Sequence, residues 1–370
     1  RSCDRASFER MDLIMHEHGG NPYPYLNDKN ITTFLDFSAN INCFGMPEKV
    51  KQAAIQGVYD SIHYPDPSCH RLKSSIGHKL HIKEEWIFCG NGAAELIYNT
   101  LQVLRPQKTL VAAPGFFEYE QALQSVDCDI VYGALPETEE FRIGSSFLQQ
   151  LRETPGLNMV ILANPNNPTG QLIPKDVLME ILEICRYRKI WIMLDECFLD
   201  FTAEFPSNSL VPEIEKTPRL LILKAFTKMY AMPGLRMGYL LCSDKAFREK
   251  IVQIRQPWSV SLPAQEAAVA ALEEEAFAHR TRAFIQQERP WLQDQLQKLG
   301  LKIYHADANF LLFFSPFPQL QQELLKQQIL IRDCGNFTGL KAGYYRIVVR
   351  THEENLRLIQ ALHQILNESR

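Results

Sequence analysis

Lys228 lies in the segment Ala225-Phe-Thr-Lys228-Met-Tyr-Ala-Met-Pro-Gly234-Leu-Arg236, which sets a primary amine and a guanidinium eight residues apart just after the apolar run Leu220 to Leu223. An amine held in such a loop can condense with an aldehyde, and an arginine offers a planar fork of donors to a phosphate. A second candidate is Asp195, which follows Ile190-Trp-Ile-Met-Leu194. A carboxylate at the carboxyl end of a buried strand faces the crevice where α/β proteins bind ligands, and there it can pair with a protonated ring nitrogen. The turn Ala163-Asn164-Pro-Asn-Asn167-Pro168-Thr-Gly170 carries an amide side chain to another strand end. Cys89-Gly90-Asn-Gly92-Ala93-Ala94-Glu95 runs from a strand through glycines into a helix, whose first amides can cradle an anion. Each element alone has a plainer reading: a surface lysine, a structural arginine, a helix-capping aspartate, a turn of good propensity. Together they point to imine chemistry on an anionic cofactor.

Those side chains need strand ends to stand on. Trp86 to Cys89, Thr109 to Ala112, Asp129 to Tyr132, Met159 to Leu162, Ile190 to Leu194, Leu220 to Leu223 and Gly238 to Leu241 read as strands separated by helical patterns. Their near-continuous apolar character suits a mostly parallel sheet covered on both faces. Beyond Arg255-Gln-Pro-Trp-Ser259 the pattern becomes one long helical stretch from Ala264 to about Leu299. Strands then return at Phe310 to Phe314, Ile329 to Ile331 and Tyr345 to Val349. The expected fold is therefore α/β, a large mostly parallel sheet domain with a small α+β domain. We divide it into an N-terminal arm with part of the small domain and a substrate loop (1–50), a large cofactor-binding domain (51–258), and a linking helix with the small domain (259–370).

Composition excludes several classes. A length of 370 residues is too great for one compact core, and 46% hydrophobic with 22% charged residues is ordinary for a folded enzyme. A net charge of −4 without basic runs gives no footprint for nucleic acid or an anionic membrane. The nine cysteines show neither a disulfide framework nor zinc-ligand spacing, and the scattered His63, His70, His78 and His81 suggest no metal. A cytoplasmic location is expected, since there is no apolar run long enough for a membrane span and no secretory signal in residues 1–15.

In order and spacing, the four elements resemble the fold-type-I pyridoxal-phosphate (PLP) enzymes, the aspartate-aminotransferase-like fold, and within them the group that includes histidinol-phosphate aminotransferase. His18-Gly-Gly-Asn21, Leu35-Asp-Phe-Ser-Ala-Asn40-Ile-Asn42, Tyr64-Pro-Asp66, Pro114-Gly-Phe116 and Tyr344-Tyr-Arg346-Ile are more similar still to the threonine-phosphate decarboxylases of cobalamin biosynthesis. The resemblance runs from about His18 to the C-terminus. It implies that Lys228 holds PLP as a Schiff base, Asp195 faces the pyridine nitrogen and Asn167 reaches the phenolic oxygen. Phe116 would stack on the ring, with Gly92, Ala93, Thr227 and Arg236 around the phosphate. Tyr64 would reach the phosphate of the other subunit in a homodimer with shared active sites. His18, Gly19, Gly20, Asn21, Asn40, Asn167, Arg332 and Arg346 would bind a phosphorylated amino acid.

Three departures from the family are visible. Ala225 stands where a phosphate-binding serine is usual, which leaves open whether Lys224 compensates. Phe198 replaces a tyrosine common among the aminotransferases, a change shared by the decarboxylases and favouring them. Cys43 replaces a common proline, with no functional meaning that the sequence reveals. The expected activity is decarboxylation of O-phospho-L-threonine to (R)-1-aminopropan-2-yl phosphate. Transamination of histidinol phosphate and decarboxylation of phosphoserine to ethanolamine phosphate are the alternatives, and a PLP-binding sensor without turnover is the reading of another class.

Overall fold

The computed structural model describes residues 19–21, 23, 34–317 and 319–368. After the short strand β1 (Leu35–Asp36), seven strands build the main sheet: β2 (Ile87–Asn91), β3 (Lys108–Ala113), β4 (Asp129–Ala134), β5 (Met159–Ala163), β6 (Trp191–Asp195), β7 (Leu220–Ala225) and β8 (Met237–Leu241). Their order is β2-β8-β7-β6-β5-β3-β4. The strands from β7 to β4 are parallel, and β8 runs antiparallel to both β7 and β2. Side chains alternate between two separate cores. Val160, Leu162, Ile192, Leu194, Leu220 and Ile222 enter one, while Met159, Ile161, Met193, Leu221 and Leu223 enter the other. Burial on both faces explains why these strands read as unbroken apolar runs.

The strand directions decide where a site can form. The carboxyl ends of β2, β3, β5, β6 and β7 and the amino end of β8 all open on one edge of the sheet. The segments following β2, β3, β5, β6 and β7, and the residue preceding β8, are the ones singled out from the sequence.

Five more strands follow: β9 (Lys302–Ile303), β10 (Phe310–Phe314), β11 (Ile329–Leu330), β12 (Arg332–Asp333) and β13 (Tyr344–Val348). Four of them form an antiparallel sheet in the order β12-β13-β10-β9, and β1 pairs parallel with β11. The N-terminal arm is stitched to this part of the fold. The Phe37 amide donates to the Leu330 carbonyl (2.8 Å) and the Val348 amide to the Phe37 carbonyl (2.9 Å).

One expectation is corrected. The stretch from Ala264 to Leu299 is two helices, Leu262–Leu272 and Glu275–Lys298, rather than one. The first is alanine-rich, with Ala264, Ala267, Ala268 and Ala271 fully buried, and it packs so closely on the helix Glu48–Tyr59 that a Cβ on Gly57 would lie 2.6 Å from the Pro263 Cα. Three consecutive glutamates (273–275) follow, and the last of them sits in the first turn of the second helix, where a carboxylate suits the positive amino end. Among the described residues no helix is long and apolar enough to cross a membrane.

Candidate active site

The common edge of the main sheet faces the second sheet across a cavity of about 260 Å³. Of the residues expected at the site, Gly19, Asn40, Ala93, Phe116, Asn167, Asp195, Thr227, Lys228, Arg236, Arg332 and Arg346 line it. Gly92, Gly20 and Asn21 lie beside the lining rather than in it, and His18 falls outside the described residues. Tyr64 is 81% exposed, packed at a tilt of 35° against Trp258 with ring centroids 4.9 Å apart, and does not reach the cavity of its own chain.

Lys228 carries the reactive amine. Burial, followed by the Arg346 guanidinium, pulls its pKa from 10.5 down to about 8, so the free amine is far more populated near neutral pH than at an ordinary lysine. The neighbouring Lys224 has turned away. It is buried between Glu196 and Asp200, with its ammonium 3.3 Å from each carboxylate, and these charges hold its pKa above the ordinary value despite the cost of burial. A charged lysine pointing out of the cavity supplies neither an amine nor a donor there. The question raised by Ala225 is thus answered for the single chain: Lys224 does not stand in for the missing hydroxyl.

Asp195 is 8% exposed and accepts two hydrogen bonds from opposite sides, from the Tyr119 hydroxyl to Oδ2 (2.6 Å) and from the Cys197 amide to Oδ1 (2.8 Å). Among the described residues no cation lies within ion-pair distance of it. A buried carboxylate with only neutral donors is incompletely compensated, and a protonated ring nitrogen in the cavity would supply the charge.

The helix Gly92–Leu104 begins at the cavity with Gly92 at φ +78°, and a Cβ there would meet Arg236 Nη2 at 2.4 Å. Only a glycine lets the guanidinium come so near the helix start. Arg236 and the amino end of a helix are both positive, so their proximity is unfavourable unless an anion lies between them. With Thr227 and Lys228 alongside, the arrangement suits a phosphate.

The opposite wall is built by the second sheet. Arg332 and Arg346 are direct cross-strand partners on β12 and β13, so both side chains stand on one face. Arg346 donates from Nη1 to Asn167 Oδ1 and from Nη2 to the Ser38 carbonyl (2.8 Å), while its buried Nε has no partner among the described residues. Burial draws its pKa down to about 10. Arg332 donates to Asn336 Oδ1 (2.9 Å) and lies over the Phe337 ring. Asn40 Oδ1 is likewise buried without a partner among the described residues. Gly19 closes against this wall: its Cβ position lies 2.4 Å from the Ser38 carbonyl, and the Gly20 amide donates to Ser38 Oγ (2.8 Å). The cavity therefore holds two anion-binding corners with a reactive amine between them.

The sequence reading missed Tyr119, Ser38 and Phe337. Tyr119 had a faint signal, three residues after Phe116 at the start of the helix Glu118–Gln124, whereas the Ser38 contact with Arg346 is made by a backbone carbonyl, which no residue type signals.

Comparison with known proteins places this geometry. Residues 32–362 match the family model for aminotransferase class I and II. A threonine-phosphate decarboxylase of Salmonella typhimurium is 36% identical over 361 residues, spanning 96% of this chain and 98% of the relative. The crystal structure of a histidinol-phosphate aminotransferase from Clostridium acetobutylicum superposes with a TM-score of 0.83 at 31% identity, over 90% of this chain and 99% of that one. A histidinol-phosphate aminotransferase from Sinorhizobium meliloti, solved in complex with pyridoxal-5'-phosphate, shares the fold with a TM-score of 0.78 at 20% identity, covering 90% of both chains.

Proposed function

Because the chain belongs to the aminotransferase class I and II family, we propose that it is a PLP enzyme that decarboxylates O-phospho-L-threonine to (R)-1-aminopropan-2-yl phosphate, a building block of cobalamin. The observation that carries this reading is the second anion corner. The arginine pair on β12 and β13 is separate from the corner at Arg236 and the helix start, so one corner serves the cofactor phosphate and the other a substrate that is itself phosphorylated. Two buried, directly opposed guanidiniums repel each other, and a dianion compensates both.

Bound in the cavity, PLP supplies an aldehyde for an amine and a ring that accepts the electron pair released at the substrate α-carbon. The chain's own residues do the rest. Asp195 would hold a proton on the ring nitrogen. Gly92, Ala93, Thr227 and Arg236 would hold the cofactor phosphate, Phe116 would pack on the ring and Asn167 would face its oxygen. Lys228 Nζ would keep the cofactor in place, and it or a water would carry the proton delivered to the α-carbon. Arg332 and Arg346 would grip the substrate phosphate with Gly19, Gly20, Asn21 and Asn40, and His18 would join them by resemblance. That grip would orient the bond from the α-carbon to the carboxylate for cleavage, since positioning selects which bond breaks.

Amine transfer from histidinol phosphate is the second reading, supported by the likeness to the Clostridium enzyme and by the Arg346–Asn167 hydrogen bond, which would suit the carboxylate of the keto-acid acceptor, since histidinol phosphate itself carries none. Incubating the purified holoenzyme with each substrate separates them. Carbon dioxide released from phosphothreonine without a keto acid is the expected result, and keto-acid-dependent loss of the amine would leave the aminotransferase reading standing. Arg346→Lys should raise KM for phosphothreonine about tenfold or more, since an ammonium cannot reproduce the fork.

A cytoplasmic homodimer completes the proposal. The eight described cysteines are all unpaired. Tyr64 lies in an exposed apolar lobe with Tyr59, Ile62 and Trp258, a surface suited to a second copy of the chain.

A further inference from the structure

We propose that Tyr119 is a positioning residue that sets the electron-accepting strength of the bound cofactor by fixing the Asp195 carboxylate. The inference rests on the PLP reading of the cavity but not on which substrate the enzyme takes.

The geometry is specific. Tyr119 is only 2% exposed, and its hydroxyl donates to Asp195 Oδ2 at 2.6 Å, a short bond of the kind made to a charged acceptor. Oδ1 is held by the Cys197 amide at 2.8 Å. With one donor on each oxygen, the carboxylate can neither rotate about its Cβ–Cγ bond nor drift along the strand end, and its remaining lone pairs are aimed by default. The donor itself is dependable, because burial and the adjacent carboxylate push the phenol well above its usual pKa and keep its proton in place through the working range.

The same short segment also sets the ring-packing surface. Phe116 and Tyr119 meet edge to face with centroids 5.5 Å apart and planes at 85°. One turn after β3 thus provides the apolar face for the cofactor ring and the donor that steadies the ring's counter-charge. A hydroxyl donating to Asp195 fixes the carboxylate where it would pair with the ring nitrogen, and a well-paired ring withdraws electrons strongly. Without the hydroxyl, Asp195 is looser, the pairing weakens, and the ring would withdraw less.

The test compares wild type, Tyr119→Phe, Asp195→Asn and the double variant. Tyr119→Phe keeps the aromatic ring and its contact with Phe116, so thermal unfolding with cofactor bound should be nearly unchanged. Its kcat should fall about tenfold, the rate equivalent of one charge-assisted hydrogen bond, with KM within about twofold. The pH midpoint of the bound cofactor's visible absorbance should rise by roughly half a unit, because a weaker electron-withdrawing ring leaves the attached nitrogen more basic. Tyr119→Phe should add less than about a twofold change to Asp195→Asn, since the hydroxyl acts only through that carboxylate. An unshifted absorbance midpoint, or a kcat loss that multiplies with that of Asp195→Asn, overturns the inference. If wild type proves to be an aminotransferase and the midpoint still moves, the positioning role stands and the decarboxylase reading falls.

Discussion

Two lysines four residues apart illustrate how much a side chain's surroundings decide. Lys224 finds two carboxylates at 3.3 Å and stays charged, whereas burial first, and then the Arg346 and Arg236 guanidiniums, draw Lys228 down to about 8. The sign of the Lys228 effect on stability follows from proton binding. Between about 8 and 10.5 the unfolded chain holds a proton that the folded apoprotein has released, so folding stability rises with pH across that window, and below it the fold carries the cost of a confined charge. Labelling the apoprotein with an amine-directed reagent should therefore modify the Lys228 peptide with a midpoint near pH 8, and Lys224 hardly at all. A midpoint near 10.5 would remove the argument that this amine is poised. Borohydride reduction of the holoenzyme should fix the cofactor on the same peptide, and Lys228→Ala should abolish turnover.

At the scale of elements, the site is a meeting of two sheets, and their junction has its own clasp. Glu137, in the loop after β4, accepts hydrogen bonds from the Lys302 ammonium and the Tyr304 hydroxyl, both at 2.5 Å, and from Tyr344 on β13. Lys302 and then the two tyrosines lower its pKa from 4.5 to about 2. A depressed carboxylate stabilises the fold above its unfolded pKa and loses that contribution as pH falls towards the folded value. The side chain is 38% exposed, so solvent screening limits the effect, and Glu137→Gln should cost about 0.5–1 kcal/mol at pH 7. The difference in melting temperature between variant and wild type should narrow as pH falls from 4.5 to 2; a constant difference would show that packing, not charge, matters there.

For the whole molecule, the proposed homodimer makes a sharper prediction than a molecular weight does. If Tyr64 serves the neighbouring subunit's cofactor phosphate, Tyr64→Phe should weaken PLP binding several-fold. A hybrid of a Lys228→Ala subunit with a Tyr64→Phe subunit should then contain one site with both residues intact, and its cofactor affinity should return to that of wild type. A hybrid no better than the Tyr64→Phe homodimer, or a fully active monomer, would confine Tyr64 to its own chain.

The sequence by itself determined the strands of the main sheet, because a strand buried on both faces must be apolar along its whole length, and Leu220 to Leu223 or Met159 to Leu162 admit little else. It also determined which strand ends carry reactive groups, since Asp195, Asn167 and Lys228 each follow such a run directly. Resemblance added the family, which the matched residues 32–362 bear out. The break at Glu273 and Glu274 was not read from the sequence, because the helical periods on either side look continuous. Nor could the sequence show that Tyr119 meets Asp195 across 76 positions, that Arg346 bonds a carbonyl 308 positions away, or that Lys224 rather than Lys228 would take the carboxylates. Such pairings depend on strand order and register, which local propensity does not encode and which only the packed sheets decide.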